Sequence, residues 1–83
     1  MKTNLIDAPV AVTAVTFNKK FMPIPRRIEY GGTSHTFIDA GIRYHVKQGE
    51  SMVRLWDMSD GQARYRLRCD SKNSWRLMSI TQS

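Results

Sequence analysis

Cysteine is nearly absent. Cys69 stands alone, so no internal disulfide can form and a single thiol cannot frame a zinc site. Histidine is scarce too. His35 and His45, taken with Cys69, match no metal-ligand spacing and leave a closed site short of a fourth ligand. No apolar run approaches the roughly 18 residues that a membrane helix needs. The opening Met1-Lys2-Thr3-Asn4-Leu5-Ile6-Asp7 lacks the apolar centre of a signal peptide. A cytoplasmic protein with no membrane partner is the expectation. Catalytic patterns are missing as well. Gly31-Gly32 is followed by no Lys-Ser/Thr, and no nucleophile elbow or paired carboxylates can be found. The sequence therefore predicts no catalytic residue, metal, cofactor or small-molecule substrate.

Acidic residues are the other shortage. Seven Asp and Glu stand against thirteen Lys and Arg, a formal net charge of +6 and a pI near 10.0. Such a surplus attracts polyanions over long range. A solvated basic surface that binds nothing would have the same composition. With 83 residues, 41% of them apolar, the chain has room for one domain with a thin core, about 60% of its unfolded surface being buried on folding.

What is plentiful is strand pattern. Residues 1–9 read as a flexible lead-in ending at Pro9, and 10–81 as a single β domain. Val10 to Phe17 is dense in β-branched residues and reads as a strand. Residues 18–27 follow as a basic arm, in which Pro23 and Pro25 exclude a central strand. Around Gly31-Gly32, Arg27–Tyr30 and Thr33–Phe37 form a hairpin, because two glycines supply the positive φ values of a tight turn. The stretch 38–49 admits two readings. Asp39 can cap a short helix carrying Ile38, Ile42 and His45 or Val46 to a stop at Gly49, while Ile42, Tyr44 and Val46 alternate as in a strand. A helix or helical turn around 39–48 is the expectation adopted. The rest is a meander: Ser51–Met58, a turn at Ser59-Asp60-Gly61-Gln62, Ala63–Cys69, a polar turn, and Trp75–Ile80. The fold class expected is mainly β, a small rolled antiparallel sheet or SH3-like barrel.

On the strand Ala63–Cys69, Tyr65, Leu67 and Cys69 alternate with Arg64, Arg66 and Arg68. Those arginines leave one face about 7 Å apart. Arg54 and Arg76 on the neighbouring strands can extend the row, depending on register. Guanidiniums on a face near Trp56 or Trp75 suit phosphates and stacked bases. An outer face kept soluble by charge is the competing reading. A second basic group, Lys19, Lys20, Arg26 and Arg27, flanks the apolar tip Phe21-Met22-Pro23-Ile24-Pro25. That arm is either a clamp on nucleic acid or a loop that tucks Phe21 and Ile24 against the domain. The aromatics Tyr30, Phe37, Tyr44, Trp56, Tyr65 and Trp75 are expected mainly in the core.

Over Arg26 to Ile80, the segments Ile28-Glu29-Tyr30-Gly31-Gly32, Tyr65-Arg66-Leu67, Asp70 and Trp75-Arg76-Leu77 resemble a small uncharacterised bacterial domain. That domain occurs at the C-terminal ends of some Y-family DNA-polymerase-like proteins and as short stand-alone proteins. This chain has Tyr44 where a tryptophan is expected. The resemblance implies a DNA-associated role and carries over no catalytic or binding residue. Together these readings lead to a module that binds DNA or RNA through phosphates with little sequence specificity. A protein-interaction adaptor or homodimer is the alternative.

Overall fold

Alternating apolar and polar positions become paired strands throughout the computed structural model, which describes residues 2–17, 19–21, 23–38 and 41–82. Eight strands form: β1 (Lys2–Pro9), β2 (Ala11–Phe17), β3 (Pro23–Tyr30), β4 (Thr33–Thr36), β5 (Ile42–Gln48), β6 (Ser51–Ser59), β7 (Ala63–Cys69) and β8 (Trp75–Gln82). They make two antiparallel sheets, of order β1-β8-β7-β6-β5 and β2-β3-β4. The chain passes from one sheet to the other twice. At the first crossing the Val10 amide donates to the Trp75 carbonyl (3.2 Å). At the second, the Phe37 amide donates to Arg26 (2.8 Å) and the Ile38 amide to Ser59 (2.9 Å). The sheets are thus joined at both ends into a rolled, two-layered all-β fold, with no helix among the described residues. None is therefore long and apolar enough to cross a membrane.

The core lies between the layers. Ile28 and Phe37 on the small-sheet side meet Trp56, Met58, Ala63, Tyr65, Leu67 and Leu77 on the inner face of the large sheet. The clean alternation of β7, with Ala63, Tyr65, Leu67 and Cys69 buried and the arginines outward, is the period-two pattern of a sheet covered on one side.

Four expectations are corrected. The lead-in at residues 2–9 is a strand, β1, which pairs with β8 from Lys2↔Gln82 to Pro9↔Arg76. Its apolar alternation is weak because Leu5 is 88% exposed; backbone pairing, with a bulge between Leu5 and Ala8, holds it in place. The basic arm is largely strand as well, since β3 begins at Pro23 and pairs with β2 from Phe17↔Pro23. The argument against prolines in a central strand still applies locally. β4 reaches only Arg27–Tyr30, so Pro23 and Pro25 have a strand neighbour on one side alone. At the tip, Phe21 is exposed while Ile24 packs on the core; Met22 lies outside the described residues.

The helix around 39–48 is replaced by strand β5, paired with β6 along its whole length from Ile42↔Asp57 to Gln48↔Ser51. Asp39, its proposed cap, lies outside the described residues. Gly41 shows why the chain turns here: its φ is +65°, and a side chain at this position would collide with the Asp57 carbonyl and the Met58 sulfur. The β6–β7 turn is centred one residue later than expected. The Asp60 amide donates to the Ala63 carbonyl, and Asp60 Oδ1 accepts from the amides of Gln62 and Ala63 (both 2.8 Å). The Gly31-Gly32 hairpin forms as expected, with Tyr30 opposite Thr33.

Candidate functional site

The outer face of the five-stranded sheet is not covered by the small sheet, and register decides which side chains stand on it. Across β6, Arg64, Arg66 and Arg68 oppose Ser59, Asp57 and Leu55. Across β8, Arg68 opposes Arg76 directly, and Arg66 opposes Ser79 after a bulge that shifts the register between Arg66 and Leu67. On β5 the same face carries Ile42, Tyr44 and Val46, opposite Asp57, Leu55 and Val53. Four arginines therefore share one sheet face: Arg64, Arg66, Arg68 and Arg76.

Arg66 and Arg76 are held by carboxylates. Arg66 donates from Nε and Nη2 to the two oxygens of Asp57 (2.8 and 3.0 Å), and the Tyr44 hydroxyl donates to Asp57 Oδ2 at 3.0 Å. The Arg66 bonds hold the Asp57 carboxyl below the usual carboxylate range against burial, which pushes it up. The same contact raises Arg66, and the bond to Asp57 raises the Tyr44 phenol. Arg76 donates from Nε to Asp7 Oδ1 (2.8 Å) and from Nη2 to the Asp7 carbonyl (2.9 Å). Both pairs are partly exposed, so they orient the guanidiniums more than they stabilise the fold.

Beside Arg68 and Arg76 opens a cleft of about 650 Å³, lined also by Asp7, Asp70, Ser74 and Trp75. Asp70 caps its own turn by accepting from the Lys72 and Ser74 amides (2.8 and 3.0 Å). The cleft is thus bordered by two guanidiniums, two carboxylates and an indole.

The remaining sequence-predicted cations stand elsewhere. Arg54 opposes Cys69, on the core side of the sheet, and donates to Asn73 Oδ1 at 3.1 Å. It does not extend the row. Arg27 is exposed on β3 beside the inward Ile28 and donates to Thr13 Oγ1 at 2.9 Å. That places it across the core from Arg64–Arg68. Arg26 is half-buried on the same strand, and Lys19 and Lys20 are exposed at the β2–β3 turn. The nine cations do not make one surface. Of the aromatics, Phe37, Trp56 and Tyr65 are buried and Tyr30 and Trp75 pack against the core, while Tyr44 stands on the outer face.

Sequence reasoning missed the contributions of Asp57, Asp7 and Tyr44. The first was within reach. A tight two-residue hairpin pairs odd with even positions, which sets Asp57 with the β7 arginines and Arg54 with Tyr65, Leu67 and Cys69. Asp7 had no such signal, because it acts through β1. His35, His45 and Cys69 are apart: His35 Nδ1 lies 3.0 Å from the Tyr65 hydroxyl, His45 is on β5 and Cys69 is buried on β7. Among the described residues, no three His, Cys, Asp or Glu side chains converge to hold a metal ion. No protein-family model, curated protein or solved structure matches the chain, so its chemistry is read from its own side chains.

Proposed function

We propose that the chain is a non-catalytic module that binds nucleic acid along the outer face of its five-stranded sheet, by contacts to phosphates with little sequence specificity. The observation that carries this reading is the direct opposition of Arg68 and Arg76 across β7 and β8. The two guanidiniums stand side by side on the outer face, where a phosphate can accept from both, in competition with Asp7 at Arg76. Arg66 and Arg64 continue the row along β7 at the spacing of alternate strand residues. Arginine presents a planar fork to phosphate. Trp75 at the cleft and Tyr44 beside Arg66 provide ring surface for a base. The resemblance of residues 26–80 to a domain of polymerase-like proteins points the same way.

The test is fluorescence anisotropy with single-stranded DNA, duplex DNA and RNA of matched length, titrated from low to physiological salt. Affinity should fall with salt at a log–log slope of roughly −2 to −4, as expected for three to four phosphate contacts. Changing Arg64, Arg66 and Arg68 together to Ser should weaken binding while the far-ultraviolet circular dichroism stays that of a β protein. Absence of binding at low salt, or full binding by the folded triple variant, overturns the assignment.

A further inference from the structure

The outer face continues past the arginine row onto β1, and register sets hydroxyls beside the first arginine. Arg64 opposes Thr81 on β8, and Thr81 opposes Thr3 on β1. One step along, Arg66 opposes Ser79 and Ser79 opposes Leu5. Directly opposed residues leave the same side of a sheet, so these side chains share the face of Arg64. They line a pocket of about 360 Å³, which Asp57 also borders. It has no lining residue in common with the cleft at Arg68 and Arg76.

Donors converge on this pocket. Arg64 is exposed and, among the described residues, makes no hydrogen bond or ion pair. Its guanidinium N–H groups are therefore open to a ligand. Thr3 Oγ1 and Thr81 Oγ1 lie 3.0 Å apart. One hydroxyl of that pair donates to the other, whose own O–H is left to donate elsewhere. Ser79 adds another hydroxyl. Asp57 brings an opposing charge, but both of its oxygens accept from Arg66, and Oδ2 accepts from Tyr44 as well. Arg66 balances Asp57, and the positive charge of Arg64 remains.

We propose that this pocket seats a phosphate monoester. Such a group carries about −1.5 to −2 charges near neutral pH and three acceptor oxygens. An internal phosphate of a nucleic-acid strand offers less charge and fewer free oxygens to the same donors. The volume agrees. About 360 Å³ lies at the low end of small-ligand sites, roughly 300–1,000 Å³, which suits a phosphate with its sugar and excludes a duplex. Leu5, largely exposed, gives that sugar an apolar wall. Position agrees too. The pairs Lys2↔Gln82 and Ala63↔Gln82 end their ladders, one residue beyond Thr3, Thr81 and Arg64. A strand whose internal phosphates lie along the arginine row thus presents its terminal phosphate here. The strand-end source rests on the nucleic-acid reading of this face; the phosphate seat does not, because a free mononucleotide carries the same group.

Two titrations of the full chain separate these sources. Three oligonucleotides of one sequence, labelled internally, carry a phosphate at the 5′ end, at the 3′ end or at neither, and anisotropy compares their affinities. Thymidine monophosphate and thymidine are compared by the amide NMR shifts of Thr3, Arg64 and Thr81. The expected result is a preference of about tenfold for an end-phosphorylated strand, and shifts from the monophosphate but not from thymidine. Arg64→Ser should remove the preference. Thr3→Val combined with Thr81→Val keeps side-chain shape and every charge, and should lower the preference about threefold without weakening the unphosphorylated strand. Shifts from the monophosphate while the three strands bind alike keep the seat and make a free nucleotide its source. Shifts without binding of any strand keep the seat and overturn the nucleic-acid reading. No shift and no preference among the strands overturn the seat, and binding of the unphosphorylated strand still decides the nucleic-acid reading. An undiminished preference in either folded variant overturns the seat as well.

Discussion

His35 on β4 and Tyr65 on β7 meet across the two sheets, with the imidazole Nδ1 3.0 Å from the phenol oxygen and ring centroids 5.1 Å apart. The Tyr65 hydroxyl donates to Asp60 Oδ2 at 2.7 Å, so the contact with His35 is completed by an N–H from the imidazole. Burial and the Asp60 carboxylate both push the Tyr65 phenol above its usual range, which keeps it a neutral donor. One hydroxyl therefore ties the small sheet, the large sheet and the β6–β7 turn together.

Removing that hydroxyl tests its role. Tyr65→Phe keeps the ring in the core, where it packs 5.4 Å from Phe37, and leaves Asp60 and His35 without their shared partner. The expected loss is about 1–3 kcal/mol, the cost of leaving a polar group unsatisfied. At this chain length that is a fall in Tm of about 4–8 °C per kcal/mol. Thermal and urea denaturation measure it; an unchanged midpoint would mean that the hydroxyl adds nothing net.

Most of the fold was legible because strand patterns are local. VAVTAVTF, the Gly-Gly turn and the β7 alternation each follow from side-chain spacing, and each became the element expected. β1 was not legible. Its Leu5 points to solvent and its pairing partner, β8, lies at the far end of the sequence, so nothing near it in the chain marks it as a strand. β5 failed for a different reason. Ile42 and Val46 are spaced to suit a helix turn as well as alternate strand positions, and the pairing with β6 that decides between them is tertiary. The arginine row was readable on one strand but not across strands. Parity separates Arg54 from it, while Arg76 joins it through a register that includes a bulge.

Acid should unfold this protein through its aspartates. Asp57, Asp60 and Asp70 all titrate below the ordinary carboxylate range in the folded chain. For Asp57 the Arg66 bonds are the main cause. For Asp60 burial pushes upward, and the bonds from Tyr65 and the Gln62 and Ala63 amides outweigh it. For Asp70 the Ser74 amide leads. A carboxyl with a depressed folded-state pKa binds its proton less readily in the folded chain than in the unfolded one. The stability it confers is complete above the unfolded value, about pH 4, and is lost as the pH falls toward the folded value. Tm should therefore be flat from neutrality to about pH 5 and drop below about pH 4. Asp60→Asn should make that drop shallower, and an equally steep drop in the variant would remove Asp60 from the account.

Cys69 should report global unfolding. Its side chain is 1% exposed, and burial raises its thiol pKa against the opposing effect of Arg54. Thiolate is the reactive form, so a disulfide reagent should label the native chain about a hundredfold or more slowly than the urea-unfolded chain. Rapid stoichiometric labelling of native protein would show that the β7 edge of the core opens locally.

Asp57 is the residue whose removal should strengthen the basic face. It accepts two hydrogen bonds from Arg66, from Nε and Nη2, and contributes one negative charge in the middle of the arginine row. Asp57→Asn keeps the side chain's shape, withdraws that charge and leaves the Arg66 fork available to a phosphate. If the outer face binds nucleic acid, the variant should bind more tightly at low salt, and its salt slope should steepen by about 0.7 for single strands or 0.9 for duplex. The gain should come with some loss of stability, because the Arg66 contact is the main reason that Asp57 resists protonation. Arg54→Ser is the control. Its guanidinium stands on the core side beside Cys69 and Asn73, so its loss should leave affinity and slope within about one lost long-range charge of wild type. A slope unchanged by Asp57→Asn, or one moved as much by Arg54→Ser as by the triple change at Arg64, Arg66 and Arg68, would place the binding surface elsewhere on the molecule.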